Sequence, residues 1–115
     1  MSAHQAIDAE TIRNLFDYVD GRLFWKQTKS KRIKVGDEAG CLNAVGYMQV
    51  GFLHNGKKQI MLSHRIVFLH QHGYLPKLID HINLDKTDNR IENLREATHG
   101  QNFINKENRK DYSLK

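Results

Sequence analysis

The chain has 115 residues, of which 39% are hydrophobic and 27% charged, with one cysteine and a formal net charge of +5. That length suits one domain with a single modest core. A single cysteine excludes an internal disulfide framework and any multi-cysteine zinc site, and no apolar run approaches the roughly 18–20 residues of a membrane span. The opening MSAHQAIDAE has no basic head followed by an apolar stretch, so no secretory signal is expected and the expected compartment is the cytoplasm. The pI is about 9.4, which favours a polyanionic partner. Positive charge is clustered: Lys26, Lys29, Lys31, Arg32 and Lys34 stand close together, and the tail carries Lys106, Arg109, Lys110 and Lys115. Such runs suit phosphate contacts, and they equally suit a solvated surface.

In chain order, DAETIRNLF predicts a short helix with Asp8 as N-cap and an apolar stripe of Ile12, Leu15 and Phe16. LFDYVDGRLFWK reads as a hairpin, because Asp20-Gly21 lies between alternating apolar segments. Its inward residues are expected to be Phe16, Tyr18, Leu23 and Trp25, so Tyr18 and Trp25 read as core and not as base-stacking platforms. A basic loop, KQTKSKRIKVGDEAG, follows without apolar periodicity. GYMQVGFLHNGKKQIML alternates again around Asn55-Gly56, the strongest hairpin signal in the chain. SHRIVFLHQHGYLP then changes period and predicts a helix, with Ser63 as N-cap, Gly73 as the stop and Pro76 beyond it. KLIDHINL reads as a short strand, whereas IENLREA taken alone passes for a helical turn. Thr98 and Gln101 have capping-box spacing, which predicts a last helix from near His99 toward Lys110. The pattern is α+β.

The informative stretch is DHINLDKTDNRIENLREATHGQNFIN, residues 80–105. It places Asp80-His81 at a strand end and then spaces Asn93 and Asn102 among apolar anchors. Asn83, Asn89, Asn93, Asn102 and Asn105 crowd this stretch, and asparagine is unfavourable inside helices, so side chains used for hydrogen bonding or ligation are indicated. The other histidines carry less. His64 suits capping or packing, His70 and His72 lie two apart and share no helix face, and His99 is three residues from Asn102. Cys41 reads as packed or inert.

Over DHINLDKTDNRIENLREATHGQN the sequence resembles the HNH endonuclease family, in particular its small phage-borne and homing-type branch. GYMQV, SHRIVF and GYLP resemble, more loosely, the segment before that core. The resemblance implies a single HNH domain over 1–115. A helix and β-hairpin DNA-contact region would occupy 1–60, and a ββα-metal core 61–110. Asp80-His81 would end the first strand, Asn93 would lie in the connecting loop, REA would form the second strand, and Asn102 would start the helix. The helical reading of IENLREA yields to it. Asn102 in place of the last histidine of the motif letters is what this branch carries.

The resemblance further implies a metal-dependent DNA endonuclease that hydrolyses phosphodiester bonds and, in its simplest form, nicks double-stranded DNA. Asp80 and Asn102 would hold one divalent cation, Mg²⁺ or alternatively Mn²⁺, since a hard cation prefers oxygen ligands. His81 would be the general base, and Asn93 would pin the loop so that His81 keeps a usable tautomer. Lys29, Lys31, Arg32, Lys34, Arg90, Arg95 and Lys106 are the expected DNA-binding positions, although Arg90 and Arg95 could equally form structural ion pairs. The protein would act as monomer or homodimer, without a membrane, in a bacterial host's cytoplasm if phage-encoded. The rival reading is an HNH-like DNA-binding or regulatory module without turnover. A zinc or RNA-binding domain is disfavoured by the lone cysteine and the lack of an aromatic strand platform.

Overall fold

A computed structural model describes residues 7–97. Helix α1 (Ala9–Leu15) opens on Asp8, whose carboxylate accepts from the Thr11 amide at 2.9 Å, as an N-cap residue does. It ends where Phe16 turns extended and begins β1 (Phe16–Val19). β1 pairs antiparallel with β2 (Arg22–Trp25), and β2 with the two-residue β3 (Glu38–Ala39). A second three-stranded sheet joins β4 (Cys41–Leu42), β5 (Met48–His54) and β6 (Lys57–Leu62). Both hairpin turns have positive φ at their two central residues, Asp20 and Gly21 (51° and 89°) and Asn55 and Gly56 (54° and 78°). This is the geometry that Asp-Gly and Asn-Gly pairs encode.

Helix α2 (Ser63–His72) follows β6 without a linker and stops at Gly73, left-handed at φ 87°, whose amide donates to the Leu69 carbonyl. The expected Ser63 cap is not formed. Leu62 still pairs with Gln49 in the β5–β6 ladder and therefore occupies the extended cap position. Ser63 becomes the first helical residue, and its buried hydroxyl has no hydrogen-bond partner. The last sheet is a two-stranded antiparallel pair, β7 (Leu78–His81) and β8 (Leu94–Ala97). A single 3₁₀ turn, Ile91–Asn93, precedes β8. The segment IENLREA thus divides into a turn and a strand, so both readings of it hold in part. The predicted helix after Thr98 lies outside the described residues.

One buried cluster runs through all of this, from Ile12, Phe16, Leu23 and Trp25 to Val50, Phe52, Ile66–Leu69 and Leu94. Phe16 sits at its centre, 4.8 Å from the Trp25 ring and 5.9 Å edge-on to Phe52. Phe16, Ile12, Ile66 and Val67 are fully enclosed, and each such side chain stabilises the fold by roughly 1.5–3 kcal/mol. Cross-links fix the layers around it. Arg13 Nε donates to the His70 carbonyl at 2.8 Å, while the His70 ring is bonded to the Phe16 carbonyl at 3.0 Å. His70 therefore ties α2 to the α1–β1 corner. Among the described residues, no helix is long and apolar enough to cross a membrane.

Candidate active site

Asp80 and His81 are the last two residues of β7, the first partly exposed and the second buried. Asp80 is partly exposed, with its carboxylate 3.4 Å from the guanidinium of Arg95, its register partner on β8. His81 is buried, 9% exposed, and its Nε2 lies 2.8 Å from Asn89 Oδ1. The His64 ring meets it edge-on with centroids 4.8 Å apart, and the Tyr47 ring stands 6.2 Å away. Lys86 in turn covers the Tyr47 ring at 5.0 Å and donates to the Val45 carbonyl.

Asn93 closes the long loop between β7 and β8. Its Nδ2 donates to Asn83 Oδ1 at 2.9 Å and to the Asp88 carbonyl at 2.8 Å, and its Oδ1 accepts from the Asn83 amide at 3.0 Å. Its own carbonyl accepts from Ile82. Inside this ring of bonds, Asp85 caps the Thr87 amide and Asn83 donates to Asp88. Asparagine and aspartate side chains here do what a ladder would do elsewhere, which is the role such residues play in turns. Leu84 is held at φ 68°, a left-handed conformation rare for a side chain of that bulk.

Arg90 is turned into the loop. It makes a two-pronged contact with Asp88, at 2.8 and 2.7 Å, and a longer one with Glu92. The guanidinium holds the Asp88 carboxyl well below the usual carboxylate range. Of the two readings open for Arg90 and Arg95, ion pairing describes both, Arg95 through Asp80. Lys29, Lys31, Arg32 and Lys34 lie on the loop between β2 and β3, and all four are exposed. Asn102, Lys106, His99 and Asn105 lie outside the described residues. Cys41 is exposed and so is not packed. Trp25 is buried, and Tyr18 uses its hydroxyl to accept from the Ile91 amide at 2.9 Å.

Two neighbours of His81 are not singled out by the sequence. Asn89 stands there only as one member of a dense asparagine group. His64, suited to capping or packing, packs, and it does so against His81. Burial pushes the His64 imidazole down to about 4, with the charges of His81 and Arg65 adding to the effect. A histidine with a depressed folded-state value is protonated more readily in the unfolded chain. Stability from this site is therefore complete above pH 6.5 and is lost as pH falls toward 4, by about 3 kcal/mol in all. Urea unfolding of the parent and of His64→Phe between pH 7 and 4 checks this. The variant should lose less stability on acidification, and equal losses would show that His64 is not held neutral.

Among the described residues no group of three or more His, Cys, Asp and Glu side chains gathers around one point. Asp80 is the carboxylate that adjoins the buried imidazole at the strand end. The fold and site therefore define a two-stranded hairpin with an Asp-His pair at the end of its first strand and a long asparagine-closed loop between the strands.

Residues 62–103 match the family model described as HNH endonuclease, so this segment of the chain is similar to that family. It is also similar to the solved structure described as "DNA binding and cleavage by the HNH homing endonuclease I-HmuI". The TM-score is 0.62 at 26% identity, over 83% of this chain and 52% of that one. The chain thus spans about half the length of that relative. No curated protein matches the chain.

Proposed function

We propose that the protein is a metal-dependent DNA endonuclease that hydrolyses phosphodiester bonds and nicks double-stranded DNA. One observation carries this reading: a partly exposed carboxylate, Asp80, adjoins a buried, hydrogen-bonded imidazole, His81, within the segment that matches the family. The solved relative, the HNH homing endonuclease I-HmuI, is described as binding and cleaving DNA, which supports the same reading. A site with one Asp-His pair handles one strand at a time, so a double-strand break needs a homodimer or a second event.

In this reading His81 takes the proton from the attacking water, a role an imidazole can fill near neutral pH. Asn93 keeps the loop closed, so that the end of β7 holds one geometry. Asp80 and Asn102 would hold the divalent cation, Mg²⁺ first and Mn²⁺ as a substitute. A single carboxylate with an amide oxygen fits Mg²⁺, which takes one or two protein carboxylates and keeps several waters. When bound, the cation supplies charge stabilisation to the scissile phosphate and the departing 3′ oxygen. The products would carry 5′-phosphate and 3′-hydroxyl ends. Lys29, Lys31, Arg32 and Lys34 would reach phosphates from their exposed loop, and Lys106 would add a further phosphate contact. Arg90 and Arg95 would stay in their ion pairs, and the action would take place in the cytoplasm.

Supercoiled plasmid incubated with the protein, with and without Mg²⁺ or Mn²⁺, tests the proposal. Relaxed circles that form only with metal are the expected result. Linear product instead would mean paired cutting, and plasmid left supercoiled although bound would replace the enzyme with a binding module.

A further inference from the structure

We infer that Asn89 is the positioning residue for His81, holding its imidazole with the proton on Nε2 so that Nδ1 is the nitrogen that receives the proton in cleavage. The inference rests on the general-base reading of His81 and names how that base is kept ready.

Both partners of the 2.8 Å contact are buried, Asn89 at 4% and His81 at 9% exposure. A neutral imidazole carries one N–H and one lone pair, and an amide oxygen only accepts. With Asn89 Oδ1 facing Nε2, the bond exists only when Nε2 carries hydrogen and donates. Taking up a second proton on Nδ1 leaves that bond intact, so the ring keeps its orientation through the proton transfer. The edge-on His64 ring confines the imidazole from another side.

Asn89 is itself held, from a distant part of the chain. The β1–β2 turn presses on the backbone beside it so closely that a Cβ on Gly21 would stand 2.7 Å from the Arg90 nitrogen and 3.0 Å from the Asn89 carbonyl carbon. Two residues on, Tyr18 Oη accepts from the Ile91 amide. Behind Asn89 the bidentate Asp88–Arg90 pair keeps the loop from swinging away. A solvated asparagine would gain nothing from such support; an asparagine that must present one oxygen to one ring nitrogen does.

Two measurements test this. The first is imidazole ¹⁵N NMR of the parent protein above the titration range, with the His81 signals assigned by their loss in His81→Ala. Protonated Nε2 and unprotonated Nδ1 are expected, and the opposite tautomer overturns the inference without any need for an Asn89 variant. The second is single-turnover cleavage of bound DNA. Asn89→Ala should cleave about 10–100-fold slower, the usual cost of removing an orienting partner, with DNA affinity unchanged. Asn89→Asp, which keeps an oxygen facing Nε2, should recover most of the rate. Parent-like cleavage by Asn89→Ala, beside slow cleavage by His81→Ala, would overturn the role of Asn89 alone. Parent-like cleavage by His81→Ala would remove the general-base reading and this inference with it.

Discussion

Asp80→Ala is expected to abolish plasmid cleavage at millimolar Mg²⁺ while leaving the protein folded. The fold should survive because the contact to Arg95 is a partly exposed 3.4 Å pair, of a kind that contributes about 0–1 kcal/mol, and Asp80 is no part of the buried core. β7 keeps its ladder with β8, which runs through backbone groups from Leu78 to His81. What disappears is the carboxylate adjoining His81, and with it the negative charge that would draw a divalent cation to this strand end. Isothermal titration with Mn²⁺ and plasmid nicking, both on parent and variant, separate binding from turnover. Cleavage by Asp80→Ala at the parent rate would show that the site has been placed wrongly.

His81→Ala should behave differently, retaining DNA affinity and the response to metal while cleaving about 10²–10⁴-fold more slowly, the usual worth of general-base catalysis. The variant carries a structural cost, because Asn89 Oδ1 loses its partner in a buried place. An unsatisfied buried polar group costs about 1–3 kcal/mol, so the comparison belongs well below the melting transition. Equilibrium DNA binding and single-turnover cleavage of the bound complex are the two readouts. Near-parent cleavage would remove His81 from the chemistry, whereas lost metal affinity would make it a ligand.

The two variants together distinguish the two neighbours on β7. Asp80 and His81 are adjacent in sequence, yet their surroundings differ: one meets Arg95 and remains partly open, the other is buried against His64, Tyr47 and Asn89. A carboxylate reachable by a cation and an imidazole shielded from solvent are suited to different tasks.

Much of this is legible in local sequence. Asp20-Gly21 and Asn55-Gly56 specify their turns because positive φ is set by the residue itself and its neighbour. Asp8 caps α1 and Gly73 ends α2 for equally local reasons. The Asp80-His81 strand end is read from the residues themselves, whereas the place of Asn93 in the connecting loop comes from the resemblance to the HNH family, since periodicity alone gives IENLREA as a helical turn. Ser63 marks where local reading stops. Its residue type favours a cap, but the pairing of Leu62 with Gln49 carries the strand one residue too far for the hydroxyl to serve.

What tertiary structure alone decided are the contacts made across long stretches of chain. The approach of His64 to His81, the bond from Ile91 to Tyr18 and the fit of Gly21 against Arg90 join segments that share no local pattern. They follow from one core, in which Phe16, Phe52 and Ile66 pack together and bring the first hairpin, α2 and the β7–β8 loop to the same place. Hydrophobic burial is non-directional, so periodicity states which residues turn inward and not which of them meet. The sequence by itself therefore determined α1, α2, the two tight hairpins and the strand that ends in Asp80-His81, while the short strands β3 and β4 depend on pairing with distant partners. The packing of the core decided which asparagine faces the imidazole and which hairpin holds it there.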